Sequence, residues 1–199
     1  EHIELVRYWR NHPEISVFMD YNEFITAEMQ RKWFENLDVA RDFYFIISYK
    51  NKFIGLIHLS DIDWKYKTGQ AGLFIWDKYY WQTQIPVLAS LNLIDFAFRL
   101  LHLKFIEAKV MKNNTAALSY NQMLGFKIDA STERYYKLKL NSVFKTYRTL
   151  LKKLQPYIEK KPIHFTLENR EYDLLSTVNS DTKKAIKKLI ENKLLSLKN

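Results

Sequence analysis

Cysteine is absent from this 199-residue chain, which excludes disulfides and thiolate zinc sites and fits a reducing compartment. Histidine is sparse, and His2, His12, His58, His102 and His164 show no ligand spacing such as two on one helical face, so no metal is expected. No run approaches the roughly 20 apolar residues of a membrane span, and no charged-then-apolar signal segment opens the chain. A cytoplasmic protein without a membrane span is the expectation. Glycine and proline number only four each, so the few that occur punctuate the chain: Pro13 and Pro86 near helix starts, Gly125 at a helix end, Pro156 inside a helical stretch.

What is present is a hydrophobic fraction of 47%, enough for one good core and a second small one. The formal charge of +9 is uneven: residues 141–199 hold 13 Lys/Arg against 6 Asp/Glu, leaving 18 against 16 for residues 1–140. A nearly neutral body with a basic tail argues against a whole-surface nucleic-acid binder. The pattern divides into a main domain over 1–140 and a basic, mainly helical extension over 141–199. Residue 1 falls directly before a helix, so a further strand is expected upstream of it.

In chain order, Ile3, Leu5, Val6 and Trp9 form a helical stripe that stops at Asn11-His12-Pro13, and Glu14 to Met19 reads as a short second turn. Thr26 is placed to cap a helix carrying Met29, Trp33, Phe34 and Leu37. From Phe43 the pattern turns aromatic and β-branched. Phe43 to Tyr49, the turn Lys50-Asn51-Lys52, Phe53 to Leu59, a polar turn over Asp61 to Thr68, and Gln70 to Trp76 predict an antiparallel meander. A helix is expected to open at Pro86, its apolar positions from Val87 to Leu101 repeating at three and four. Phe105 to Val110 reads as a strand, Ala116 to Leu124 as a helix capped at Asn113-Asn114-Thr115 and closed by Gly125, and Phe126 to Ile128 with Tyr135 to Leu140 as a last strand pair. Farther on, Val143 to Ile158 and Thr182 to Leu197 are helical candidates, with short strands at Ile163 to Leu167 and Tyr172 to Leu175. Lys183, Lys184, Lys187 and Lys188 read as a solvated helix face.

Several strings carry a resemblance. They are Tyr8-Trp9-Arg10-Asn11-His12-Pro13, Met19, Ile25-Thr26-Ala27-Glu28 with Trp33-Phe34, Gly72 to Trp76, Tyr80-Trp81, Phe96-Ala97-Phe98, and Asn114 through Ala117 to Leu124-Gly125-Phe126. In order and spacing, over roughly residues 1–140, the chain resembles the GNAT superfamily of N-acetyltransferases, in the branch holding ribosomal-protein and nucleotide-amino-sugar acetyltransferases. That implies an α+β fold of mixed α/β type: a central twisted sheet of six to seven strands flanked by helices, plus the helical extension.

The resemblance also implies acetyl-CoA as co-substrate, entering where two central strands splay. Its pantetheine arm would add to the backbone of Phe74, Ile75 and Trp76, and its pyrophosphate would rest on Gln82 to Leu88, including Gln82, Thr83, Gln84 and Val87, with Asn114 beyond. Arg10, Met19, Tyr21 and His58 are implied around a small amine-bearing acceptor. Direct attack of the amine on the thioester needs a proton acceptor, an N–H for the oxyanion and a group at the leaving sulfur. Asp61, Asp63 and His58 are the candidates for the first by topology. The family's leaving-group tyrosine falls on Asn121, with Tyr120 about 100° away around the helix.

Four departures stand beside the matches. Gln84 and Pro86 occupy the places of the family's two loop glycines, Asn121 that of its tyrosine, Gln70 that of a strand carboxylate and Gln30 that of a second-helix histidine. Glutamine is no base at neutral pH. Each site residue also has an ordinary reading: Phe74, Trp76, Tyr80 and Trp81 as packing, Asn114 as a plain cap, Asp61 and Asp63 as turn residues, Arg10 as one half of an ion pair. The expected activity is acetyl transfer to a primary amine, a nucleotide-linked amino sugar being favoured. The alternative is a catalytically silent binding or assembly module on the same fold. The extension is a candidate surface for homodimer formation.

Overall fold

The computed structural model describes residues 2–142, Thr149, and the segments 164–167 and 170–173. Apart from Thr149, the helical candidates at 143–158 and 182–197 lie outside the described residues. Three helices come first: α1 (His2–Asn11), α2 (Pro13–Ser16) and α3 (Ala27–Glu35). Pro13 sits at the first turn of α2, and Thr26 caps α3 by accepting from the Met29 N–H at 3.2 Å. The second element is shorter than expected and stops at Ser16.

The meander follows as β1 (Phe43–Tyr49), β2 (Lys52–Asp63) and β3 (Thr68–Ile75). Lys50 and Asn51, at φ 49° and 61°, form the left-handed pair that suits a two-residue hairpin turn. β2 runs to Asp63, four residues beyond the expected end. It passes through a register shift between Ser60 and Asp63, where Asp61 takes φ 52°. The polar turn over Asp61 to Thr68 is therefore confined to the residues between Asp63 and Thr68.

A 3-10 turn (Lys78–Tyr80) leads to α4 (Gln84–Asp95), a π-helical turn (Phe96–Leu100), β4 (Phe105–Met111), α5 (Thr115–Leu124), β5 (Lys127–Ser131) and β6 (Tyr135–Asn141). β7 (His164–Leu167) and β8 (Arg170–Asp173) form a separate antiparallel pair. Asn114 caps α5 by accepting from Ala117 N–H at 3.0 Å, and Gly125 ends it at φ 102°, a conformation that favours glycine.

The main sheet has the order β1-β2-β3-β4-β6-β5, antiparallel except for β3 and β4. One face packs on α4 and α5 through Leu59, Leu91, Ile106, Leu138 and Leu140. The other carries Leu56 and Trp76 against Val6 and Ile15 of the first two helices. Burial on both faces makes β2 nearly continuously apolar from Ile54 to Leu59. The parallel ladder between β3 and β4 runs only from Thr68↔Phe105 to Ala71↔Ala108, after which the strands part.

Candidate active site

Where β3 and β4 part, a cavity of about 580 Å³ opens between the β3 edge, β4 from Ala108 to Met111, and the starts of α4 and α5. Backbone direction along β3 follows from a single bond. Trp76 N–H donates to Ile54 O at 3.0 Å, so residue 76 faces β2. Alternation turns Phe74 and Gly72 the same way and leaves Leu73 and Ile75 facing the gap. Of the three residues expected to pair an incoming arm through backbone groups, only Ile75 is therefore directed to it. The Phe74 side chain lines the cleft, whereas Trp76 is buried on the α1 side, stacked at 5.9 Å on Trp9 and bonded through Nε1 to Phe53 O.

The start of α4 corrects a second expectation. The helix begins at Gln84, two residues before Pro86, because Thr83 takes the cap position and its Oγ1 accepts from Ile85 N–H at 3.3 Å. Propensity placed Pro86 first, but the Thr83 hydroxyl sets the boundary. Gln82 and Gln84 are exposed, and Val87 packs toward the main core. Trp81 lines the cleft and donates from Nε1 to Ile75 O at 2.8 Å.

On the α1 side lies a polar group built from alternate β2 positions. His58 and Ser60 point one way, and Nδ1 and Oγ are 3.2 Å apart. Tyr44 stacks on the His58 ring at 4.8 Å, and Trp33 meets Tyr44 edge-on. His58 faces Gly72 across the ladder, and a Cβ built on Gly72 would overlap His58 Nε2. Burial first, then the charge of Arg10, pulls the His58 pKa down to about 4, so the imidazole is neutral at physiological pH. Burial likewise raises Tyr44. Arg10 stands close enough to His58, Tyr44 and Tyr21 to interact electrostatically, and burial lowers its pKa. Its Nε is buried without a hydrogen-bond partner, as is Gln30 Nε2. The expected alternative of an Arg10 ion pair does not occur among the described residues.

Met19 and Asp20 line the same side of the cleft. Asp20 accepts from Lys109 Nζ at 2.8 Å and lies 3.6 Å from Arg134, tying the segment before α3 to β4 and to the turn before β6. The Lys109 bond is the main cause of its lowered pKa. Tyr21 is exposed, with its hydroxyl 3.5 Å from Glu23.

Opposite, Tyr120 and Asn121 both line the cleft. Tyr120 Oη is 2.8 Å from Ser90 Oγ on α4, and burial raises its pKa. Asn121 donates from Nδ2 to Ala117 O at 2.8 Å. Asn114 lines the cleft while its Oδ1 caps α5. Asp63 is elsewhere: it pairs with Thr68 at the closed end of the ladder, and its Oδ1 accepts from Tyr66 N–H at 2.9 Å. Five residues along β2 separate it from His58, roughly 16 Å. Asp61 Nα–H bonds Asp42.

Sequence reasoning missed Leu73, Ser60, Tyr44, Ser90 and Asp20. Strand alternation from His58 would have found Ser60. Asp20 meets Lys109 across 89 positions, which no local pattern reports. Among the described residues no group of three His, Asp or Glu could hold a metal, and no helix is long and apolar enough to cross a membrane.

Residues 1–127 match the family model of the acetyltransferase (GNAT) domain. Acetyltransferase PseH of Campylobacter jejuni is 29% identical over 140 residues, covering 69% of this chain and 85% of the relative. A domain from Methanocaldococcus jannaschii superposes with TM-score 0.61 at 21% identity, over 70% of this chain and 91% of that one. Spermidine N-acetyltransferase from Vibrio cholerae, in complex with CoA and spermine, superposes with TM-score 0.62 at 14% identity, over 73% of this chain and 92% of that one. With a mixed six-stranded sheet parted at its one parallel pair and a family match over most of its length, the chain belongs to the GNAT acetyltransferase family and is an acyltransferase of the N-acetyltransferase type.

Proposed function

We propose that this chain transfers an acetyl group directly from acetyl-CoA to a primary amine of a small acceptor, with a nucleotide-linked amino sugar as the favoured class. The observation that carries the reading is the parting of β3 and β4, which leaves a strand edge without a partner among the described residues, beside a cavity of about 580 Å³. Leu73 C=O and Ile75 N–H suit the amide-bearing arm of a thioester donor, which would extend the sheet by one strand. The resemblance to the nucleotide-amino-sugar branch supports the acceptor class, as does Arg10, a guanidinium without a carboxylate partner among the described residues.

The reaction has four requirements. The acceptor ammonium must lose a proton, the amine nitrogen must attack the thioester carbonyl, the tetrahedral oxyanion must be held, and the sulfur must leave with electrons from the broken C–S bond. His58, neutral and beside Gly72, is proposed to take the proton as the attacking nitrogen becomes acidic in the tetrahedral adduct. With a pKa of about 4 it is too weak to deprotonate a free ammonium, so the amine enters uncharged. Leu73 N–H is proposed for the oxyanion, which leaves Leu73 C=O and Ile75 N–H for the arm. Tyr120 is proposed as a hydrogen-bond donor to the sulfur. A phenol raised by burial does not protonate a thiolate, but its O–H stabilises one. Asn121 lies alongside. Asn114 is proposed to contact the donor through its amide nitrogen, since Oδ1 serves the helix. Asp63 is proposed to keep its turn and take no part in proton transfer.

Calorimetric titration of the pure protein with acetyl-CoA, followed by acetyl transfer across a panel of amines that includes UDP-linked amino sugars and polyamines, tests the reading. Saturable binding and transfer to the sugar amines are expected. Absence of binding at high micromolar ligand would sink the donor assignment, and transfer to polyamines alone would sink the acceptor assignment.

A further inference from the structure

A ligand lying along the open β3 edge leads, past Ile75, onto residues 77–86 and the first turn of α4. Five of the nine backbone N–H groups over residues 77–86 are already engaged. Tyr79 N–H donates to Asp77 Oδ1 at 3.1 Å, Tyr80 N–H to Asp77 O at 3.0 Å, Trp81 N–H to Lys78 O at 3.1 Å, Thr83 N–H to Tyr80 O at 3.1 Å and Ile85 N–H to Thr83 Oγ1 at 3.3 Å. Pro86 has no N–H. Only Gln82 and Gln84 retain N–H groups at this helix start, in exposed positions where a phosphate would replace water for little net gain.

Among the described residues, the cations at this end and in the cleft are paired as well. Lys78 pairs with Glu14 and Lys52 with Asp77, while Lys109, the basic residue lining the cleft, holds Asp20. At the same end, Trp81 Nε1 closes the last carbonyl of the open edge, Ile75 O. The inner end contrasts with this: Leu73 is open and Tyr120 with Asn114 lies opposite.

Building on the donor reading above, we infer that the acyl donor is recognised through its pantetheine thioester arm and that the nucleotide diphosphate end adds little. The donor class is thus the acyl-pantetheine thioester, whatever its phosphate end carries. A charge-assisted hydrogen bond from a dedicated N–H to phosphate is worth roughly 10- to 100-fold in affinity, so a loop that offered several would separate CoA from pantetheine by thousands. This loop is expected to separate them by less than about tenfold.

The test is calorimetry on the full chain with three probes at up to about 1 mM: CoA, pantetheine and adenosine 3′,5′-bisphosphate. The expected result is that CoA and pantetheine bind within about tenfold of each other and that the bisphosphate gives no saturable heat. CoA binding more than about tenfold tighter than pantetheine, or saturable heat from the bisphosphate, overturns the inference while leaving the acetyltransferase reading intact. Binding of neither CoA nor pantetheine overturns both.

Discussion

His58 concentrates the chemistry of the cleft into one side chain. Its pKa of about 4 in the folded chain lies below the ordinary value of 6.5, so between those limits the unfolded chain binds a proton that the folded one refuses. Stability is therefore full above pH 6.5 and declines as pH falls toward 4, by on the order of 3 kcal/mol. Urea unfolding at stepped pH should show that decline, and H58Q should flatten it. The same value places no titration of His58 near neutrality, so kcat/KM should rise with pH through amine deprotonation alone. An acid limb with a midpoint near 6.5 that disappears in H58Q would contradict this. Gly72 depends on the same ring: G72A should displace His58, lower stability by about 1–3 kcal/mol and reduce kcat more than it changes donor affinity, read by steady-state kinetics beside calorimetry. Y120F removes the donor proposed for the leaving sulfur and should lower kcat by about 10- to 100-fold with KM for the donor nearly unchanged.

At the scale of elements, caps and turns were legible because they are local. Thr26, Lys50-Asn51, Asn114 and Gly125 each act within a few residues, and each stands where its chemistry implied. The start of α4 was misplaced because two local signals compete, and the Thr83 hydroxyl overrides the preference of Pro86 for the first turn. The direction of the β3 backbone was invisible until one hydrogen bond, Trp76 to Ile54, set the phase of the strand. Asp63 was assigned by topology to the site, but the extension of β2 carries it to the closed end of the ladder. The two jobs given to Asn114 separate experimentally. N114S keeps a cap oxygen and loses the amide nitrogen, so its melting temperature should stay near that of the parent while donor binding weakens. N114A should lose about 1 kcal/mol of stability as well. Equal donor affinity in N114S and the parent would return Asn114 to a cap alone.

For the whole molecule, the antiparallel meander of β1 to β3 and the packing of α4 on the sheet were readable from their apolar patterns, whereas the order of β4, β6 and β5 was not. Nor was the acceptor side. It depends on α1, α3 and the segment between α2 and α3 reaching β2, β4 and the turn before β6, and contacts such as Asp20 with Lys109 and Arg134 cross most of the chain. We propose the boundary between the acetyltransferase domain and the basic extension at about residue 141, where β6 ends. The central claim is that the gap between β3 and β4 receives the thioester. Crystals grown with acetyl-CoA test it most directly. The account predicts density for the arm along Gly72 to Ile75, hydrogen-bonded to Leu73, with the sulfur near Tyr120. Density for acetyl-CoA elsewhere on the protein, with the gap between β3 and β4 empty, would contradict it.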